Sequence, residues 1–122
     1  MRKKIIVVDD STTARQQVRS ALGAADYEIV EAVDGNDGLA KVTTNADAAL
    51  VICDVNMPNK TGLELLNELR GLATQVPIVM LTAEVQPELL LQAKRAGAKG
   101  WIVKPFKPEL FAAAVRKLVG DA

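Results

Sequence analysis

Five residues with chemically useful side chains each follow a short apolar run of the chain. They are three carboxylates, a hydroxyl and an ammonium: Asp9, Asp10, Asp54, Thr82 and Lys104. Crowded carboxylates repel, which raises their pKa values unless a cation intervenes. Carboxylate and carbonyl oxygens suit Mg²⁺, while a hydroxyl and an ammonium stabilise phosphoryl oxygens. If these residues meet, they predict a carboxylate nucleophile beside a divalent ion, a combination suited to forming an acyl phosphate on aspartate.

Taken singly, each of these residues has an ordinary explanation. The acids can be solvated loop or capping residues, Thr82 can cap a turn, and Lys104–Pro105 can be a simple loop. The chemical hypothesis therefore depends on the elements that would bring the residues together.

The apolar runs before these residues are predicted to be buried strands. Ala48–Cys53 is uninterrupted by polar residues and leads into Asp54, a pattern typical of a strand covered on both faces. Tyr27–Ala32 alternates more, with Glu28 and Glu31 inside it, which favours an edge strand. The remaining predicted strands are Ile5–Val8, Pro77–Leu81 and Gly100–Val103.

Segments with helical spacing of apolar residues separate the predicted strands. Ser11 or Thr12 can cap the first helix, and Thr61–Glu64 has the spacing of a capping box. Pro87 and Pro108 suit the first turns of the fourth and fifth helices. The predicted inward residues are Ala14, Val18, Ala21, Leu22 and Ala25, then Leu39, Val42 and Ala46, then Leu65, Leu66, Leu69 and Leu72, then Leu89, Ala93 and Ala96, and finally Phe111, Ala114, Val115 and Leu118.

Alternation of strands and helices predicts an α/β fold. We expect a doubly wound, flavodoxin-like (βα)5 domain over residues 1–122, with no output domain and with helices on both faces of a five-stranded parallel sheet. The edge character of the second strand favours the order 2-1-3-4-5. In such a sheet the carboxyl ends of the strands share one edge, so the five residues would meet there.

Composition excludes several other classes of protein. The 122 residues are 49% hydrophobic and 25% charged, and 15 basic residues balance 15 acidic ones, which gives no reason to expect nucleic acid or membrane partners. Cys53 is expected to be a buried structural thiol. Without a signal peptide or membrane-length run, we expect a soluble cytoplasmic protein. The absence of histidine excludes Ser–His and Cys–His pairs, histidine metal ligands and a self-contained phosphohistidine step.

The chain resembles the receiver domains of two-component response regulators, most of all the single-domain chemotaxis type. The resemblance covers essentially the whole chain and rests on VVDDS at 7–11, DVNMPNKTG at 54–62, LTAE at 81–84 and KPF at 104–106. The strand order 2-1-3-4-5 is also that of this family, so the predicted order is not independent of the resemblance.

The resemblance implies a role for each matching site residue. Asp54 would accept a phosphoryl group from a histidine of a separate sensor kinase. Asp9, Asp10, Asp54 and the backbone carbonyl of Asn56 would hold Mg²⁺. Lys104 would pair with the phosphoryl oxygens, and the Lys104–Pro105 bond is expected to be cis.

The resemblance also implies how the signal is transmitted and ended. Thr82 would move to bond the phosphoryl group, and Trp101 would follow it inward; the family usually carries Tyr or Phe at this position. The alternative for Trp101 is a partly buried aromatic residue on an edge strand. Asn56 and Glu84 match residues that position water for loss of the phosphoryl group, which predicts a signal lasting seconds rather than hours.

A partner is expected to bind the surface formed by the fourth helix, fifth strand and fifth helix. Three successive leucines, Leu89–Leu91, span roughly 200° of helix and cannot all face the core. Residues 90–122 hold seven Lys or Arg against Glu109 and Asp121, although a solvated face explains most of these charges. Such a surface suits a short amphipathic or acidic segment. The expected contact residues are Leu90, Leu91, Lys94, Lys99 and Trp101.

The expected partners are a sensor histidine kinase, a flagellar motor switch protein and a phosphatase, with the receiver itself a monomer. Control of pilus motility or another phosphorelay step is the alternative. A flavodoxin-like carrier would need a phosphate loop after the first strand, where Asp9–Asp10 would repel the flavin phosphate. A haloacid-dehalogenase-type phosphatase would show Asp-x-Asp and a longer chain. The intact set of site residues argues against a degenerate receiver that only binds partners.

Overall fold

Strands and helices alternate along the part of the chain that the computed structural model describes, residues 2–23, 26–57, 60–72, 76–83 and 86–120. The predicted order of elements is confirmed. The elements are β1 (Lys3–Val8), α1 (Thr12–Leu22), β2 (Tyr27–Ala32), α2 (Gly35–Thr44), β3 (Leu50–Cys53), α3 (Gly62–Gly71), β4 (Ile78–Thr82), α4 (Pro87–Arg95), β5 (Gly100–Val103) and α5 (Pro108–Leu118).

Among the described residues, the strands form one five-stranded sheet with the order β2-β1-β3-β4-β5. All four neighbouring pairs are parallel, which confirms the predicted doubly wound fold. Strand β3 lies at the centre, and its four residues are all buried. Strands β2 and β5 are the edges, so the polar alternation of Tyr27–Ala32 was a correct sign of its position.

The sheet separates two apolar layers, which explains why its central strands have no polar face. On one side, α1 and α5 pack through Val18, Phe111 and Val115 against alternate residues of the strands. On the other side, α2, α3 and α4 supply residues such as Leu65 and Ala93. Because successive strand residues point to opposite faces, both layers require apolar side chains.

Two predicted inward residues are wrong because their helices end before them. Leu72 is the C-cap of α3 and is 62% exposed. Ala46 lies in the turn after α2, which ends at Thr44, and is exposed. Ala25 lies outside the described residues. In both cases the apolar residues keep their helical spacing beyond the last turn of the helix, so the pattern predicted helices that were too long.

The helix starts follow the capping signals. Ser11, not Thr12, is the N-cap of α1, since its side chain accepts a hydrogen bond from the Ala14 N–H. Thr61 and Glu64 form the predicted capping box of α3. None of the helices in the described ranges is both long enough and apolar enough to cross a membrane.

The start of α3 packs directly against the backbone of Asp54. The Gly62 N–H donates to the carbonyl of Val55 at 2.9 Å. A Cβ at position 62 would lie 2.1 Å from the carbonyl oxygen of Asp54, far inside contact distance. Only glycine allows the helix to approach this closely, so Gly62 sets the position of the segment that carries Asp54.

We expect Gly62→Ala to lower the free energy of unfolding by about 1–3 kcal/mol, because the added methyl group must displace the Asp54 backbone. Urea denaturation followed by circular dichroism measures this change. Gly71→Ala is the matched control in the same helix, since a Cβ there meets no atom within 4 Å. A Gly62→Ala protein as stable as the Gly71→Ala protein would contradict the steric argument.

Candidate functional site

The carboxyl ends of β1, β3, β4 and β5 bring the candidate residues to one edge of the sheet. Asp9 and Asp54 directly follow Val8 and Cys53, which face each other in the β1–β3 register. The Asp54 N–H donates to the carbonyl of Val8 at 3.0 Å. The topology thus places these two carboxylates on neighbouring strands.

Thr82 and Lys104 join the same edge from β4 and β5. Thr82 is the last residue of β4 and is 1% exposed. The backbone N–H of Lys104 donates to the carbonyl oxygen of Thr82 at 2.9 Å. The Lys104–Pro105 peptide bond, which the resemblance implies to be cis, is cis.

The three acids form a compact cluster. Asp9, Asp10 and Asp54 can each direct a carboxylate oxygen so that all these atoms lie within 4.8 Å of one another. Asp9 and Asp54 are buried, whereas Asp10 is exposed. The Lys104 Nζ lies 2.9 Å from Asp9 Oδ2 and 3.6 Å from Asp54 Oδ2. The Lys104 ammonium therefore lies within 4 Å of two of the three clustered carboxylates.

Burial and charge crowding act together on Asp54. Burial raises the pKa of its carboxyl above the ordinary value, and the nearby Asp9 charge raises it further. The Lys104 ammonium and the backbone N–H groups of Asn56 and Val55 lower this pKa, but not enough to cancel the rise. The cluster is therefore short of positive charge.

Lys104 is held in its charged form. Burial by itself would lower the pKa of its ammonium, but the hydrogen bond to Asp9 and the charge of Asp54 outweigh it, so the pKa lies above the usual value. A permanent ammonium beside Asp54 can neutralise oxygens that gain negative charge there.

The donor set fits Mg²⁺. Hard carboxylate oxygens on neighbouring strands match its preference for oxygen ligands, and the exposed Asp10 leaves the cluster open to water, which Mg²⁺ usually retains. A divalent cation would also offset the repulsion from Asp9, which adds to the effect of burial in raising the pKa of Asp54.

Of the two residues expected to control the lifetime of the phosphorylated state, the structure describes only Asn56. Asn56 lies in the loop after β3, with its backbone N–H bonded to the Asp54 carboxylate and its side chain exposed. Glu84 lies outside the described residues.

Trp101 lies on β5, opposite Met80 of β4. Its ring is partly buried and packs against the layer of α2, α3 and α4. The indole Nε1 is buried and has no hydrogen-bond partner among the described residues. Sequence reasoning did not anticipate this unpaired donor, because it depends on the rotamer of one side chain.

Most of the predicted partner surface lines a groove between α4 and β5. Leu90, Lys94, Lys99 and Trp101 contribute to its walls, together with Ala93 and Ala98. Leu91 is 48% exposed but is not among the groove residues. The groove combines an apolar floor with two lysines at its rim.

Arg15 was missed by the sequence analysis although it contacts the site. Its Nη1 donates to the carbonyl oxygen of Asp9 at 2.5 Å. The Nε of the same side chain donates to Glu31 Oε1 at 2.9 Å. The only sequence signal was a basic residue beside the apolar stripe of α1 and an acid within β2, neither specific by itself.

Comparison with known proteins agrees with this architecture. Residues 5–116 match the family described as response regulator receiver domain. Chemotaxis protein CheY1 of Helicobacter pylori is 35% identical over 120 residues, which cover 96% of this chain and 97% of that protein. The Campylobacter jejuni chemotaxis protein CheY homolog is 33% identical, with 96% and 92% covered.

Solved structures lead to the same family. The structure of Vibrio cholerae chemotaxis protein CheY4 superimposes with a TM-score of 0.89 at 39% identity, covering 97% of this chain and 99% of that one. The BeF3-activated DrrB receiver domain superimposes with a TM-score of 0.85 at 27% identity, covering 98% of each chain. With strand order, acidic edge and family match in agreement, the chain belongs to the response regulator receiver domain family.

Proposed function

We propose that this receiver is a phosphorylation switch in which Asp54 accepts a phosphoryl group from a histidine of a sensor kinase. The observation that carries the proposal is the buried Asp54 carboxylate with the Lys104 Nζ at 3.6 Å and the Asp9 and Asp10 carboxylates beside it. This arrangement supplies a nucleophile, a fixed ammonium and a place for a cation in one pocket.

In the proposed reaction, an Asp54 carboxylate oxygen forms a bond to phosphorus as the bond from phosphorus to the histidine nitrogen breaks. The electron pair of the broken bond remains on the leaving imidazole. Lys104 neutralises oxygens of the transferred group, because its ammonium is already anchored to Asp9 at 2.9 Å.

Asp9, Asp10, Asp54 and the backbone carbonyl of Asn56 would hold Mg²⁺, which when bound offsets negative charge on the carboxylates and phosphoryl oxygens. The assignment of the three side chains is supported by their shared oxygen cluster. The chain contributes the pocket and the orientation of Asp54, which is only 9% exposed.

Thr82 and Trp101 are the proposed link from Asp54 to the outer surface. Thr82 ends β4, the strand next to β3, and in the proposal its hydroxyl moves to donate to a phosphoryl oxygen on Asp54. The indole N–H of Trp101 has no partner among the described residues, and a buried unpaired donor costs about 1–3 kcal/mol. A different ring position that satisfies this donor would recover that energy.

The proposed output is phosphorylation-dependent binding of a protein at the groove between α4 and β5. The apolar floor with Lys94 and Lys99 at its rim suits an amphipathic segment with acidic residues. Because similar chains are chemotaxis proteins, we propose a flagellar motor switch protein as the target. Pilus motility or another phosphorelay step would use the same chemistry.

We expect Asp54→Asn to abolish phosphoryl incorporation, because an amide cannot form the acyl phosphate. The measurement is mass spectrometry of intact protein after incubation with acetyl phosphate and Mg²⁺, with a parallel sample in EDTA expected to remain unmodified. Asp47→Asn is the matched control, since Asp47 is an exposed acid paired with Lys4. Equal incorporation in Asp54→Asn and wild type would contradict the proposed acceptor.

We expect the activated protein to bind its target more tightly than the unmodified protein. A pull-down with beryllofluoride-treated wild type and with Asp54→Asn, read by mass spectrometry, should enrich the target only with the former. Lys94→Gln should weaken this capture because it removes a charge at the groove, whereas Lys41→Gln on α2 should not. Comparable capture by treated and untreated protein would refute the switch.

We expect the phosphorylated form to decay in seconds rather than hours when Mg²⁺ is present, because the resemblance assigns Asn56 and Glu84 to positioning water. Removing the phosphodonor and following the residual modified mass over time measures this decay. Decay is expected to slow in EDTA. A phosphorylated form that persists for hours with Mg²⁺ would rule out this part of the proposal.

A further inference from the structure

Arg15 is a buried charged residue that the proposed reaction does not use. Among the described residues, the buried polar or charged ones are Asp9, Arg15, Asp54 and Thr82. Asp9, Asp54 and Thr82 belong to the candidate site at the carboxyl ends of the strands. Burying a guanidinium is costly unless it is paired and hydrogen-bonded, so the fourth calls for an explanation in terms of its contacts.

The Arg15 guanidinium joins three separate parts of the site region. Nη1 donates to the carbonyl oxygen of Asp9 at 2.5 Å, in the loop after β1. Nη2 donates to Thr12 Oγ1 at 3.2 Å, at the start of α1. Nε donates to Glu31 Oε1 at 2.9 Å, on β2. Its rigid planar fork suits such divergent contacts, which a lysine could not all replace.

Glu31 decides where the Arg15 charge is directed. Its carboxylate pairs with Arg15 through one oxygen and with Arg19 through the other, at 2.9 and 2.6 Å. Arg15 therefore has its counter-charge on β2, and its hydrogen bond to Asp9 goes to the backbone carbonyl and not to the carboxylate. Lys104 behaves differently, since its ammonium bonds the carboxylate of Asp9 itself.

The contact with Asp9 completes the restraint of that residue. The Asp9 N–H donates to the carbonyl of Ala32 at 3.0 Å, and its Oδ1 accepts from the Ser11 N–H at 2.9 Å. Fixing the carbonyl oxygen fixes the plane of the peptide that leads into Asp10. That plane contains the N and Cα atoms of Asp10, so it fixes the point from which the Asp10 side chain leaves the backbone.

We propose that Arg15 is a positioning residue for the divalent-cation site, holding the Asp9–Asp10 peptide so that both acids converge with Asp54, and that Glu31 holds Arg15 for this purpose. The inference rests on the proposed function of the acidic cluster. It assigns the site a support on β2, a strand that contributes no ligand to it.

Titration of the purified protein with Mg²⁺ by isothermal calorimetry tests the proposal. We expect Arg15→Gln to weaken Mg²⁺ binding about 10- to 100-fold, the usual range for residues that orient metal ligands. Arg15→Lys should weaken it less, and Glu31→Gln should lie between Arg15→Lys and wild type because the amide oxygen still accepts from Nε. Arg19→Gln is the matched control, since Arg19 pairs with the same Glu31 and is exposed.

A second readout separates positioning from general loss of structure. With acetyl phosphate as donor, Arg15 variants should need more Mg²⁺ for half-maximal phosphorylation, while their rate at saturating Mg²⁺ remains near that of wild type. Unfolding in urea, measured for all variants, should show Arg15→Lys still folded at the titration temperature.

The outcomes distinguish this inference from the proposed function. If the wild-type protein binds no Mg²⁺, both the proposed function and the positioning role of Arg15 are overturned. If wild type binds and the Arg15 variants bind within twofold of it, only the positioning role is overturned. Equal weakening in Arg15→Gln and Arg19→Gln would also overturn it. If Arg15→Gln does not fold, the comparison of Arg15→Lys and Glu31→Gln with Arg19→Gln decides in the same way.

Discussion

Charge crowding at one edge of the sheet is the constraint on which the other features of the site depend. Asp9, Asp10 and Asp54 converge with Lys104 as a nearby ammonium, and the Asp9 charge adds to burial in raising the pKa of Asp54. A parallel sheet produces this crowding because it gathers strand ends that are distant in sequence. The surrounding groups then restrain the charges: backbone N–H groups meet Asp54, and Ser11 and Lys104 bond the two oxygens of Asp9.

Holding such a cluster in place requires a scaffold that cannot relax. The central strand β3 is covered on both faces, and Gly62 brings α3 into contact with the Asp54 backbone. Cys53 adds to this support, since its buried Sγ donates to the Asp54 carbonyl at 3.2 Å. Burial raises the pKa of this thiol, so it remains protonated and acts as a packing group, as expected from its position in an apolar strand.

The fold was predictable because long-range order depends on a simple pattern. Continuous apolar runs ending in acids implied buried parallel strands, and the residues at their ends had to meet. The errors at Leu72 and Ala46 arose where spacing persisted beyond the last helical turn. Arg15 and Glu31 were missed for a different reason. Their pairing depends on the placement of α1 over β1 and β2, which places an arginine of the helix beside an acid of an edge strand, and no sequence motif encodes that geometry.

The same short distances explain how a chemical change at Asp54 could reach the groove between α4 and β5. Lys104 carries the ammonium at the acidic edge through its side chain and bonds the Thr82 carbonyl through its backbone. Trp101 lies three positions before Lys104, on β5, and forms part of the groove. In the proposed switch, a phosphoryl group on Asp54 would compete with Asp9 for the Lys104 ammonium and attract the Thr82 hydroxyl. The last residue of β4 and the residue that follows β5 would then both be drawn toward Asp54. Because β5 is an edge strand and none of its four residues is fully buried, it is less tightly held than β3, and the groove lies between it and α4.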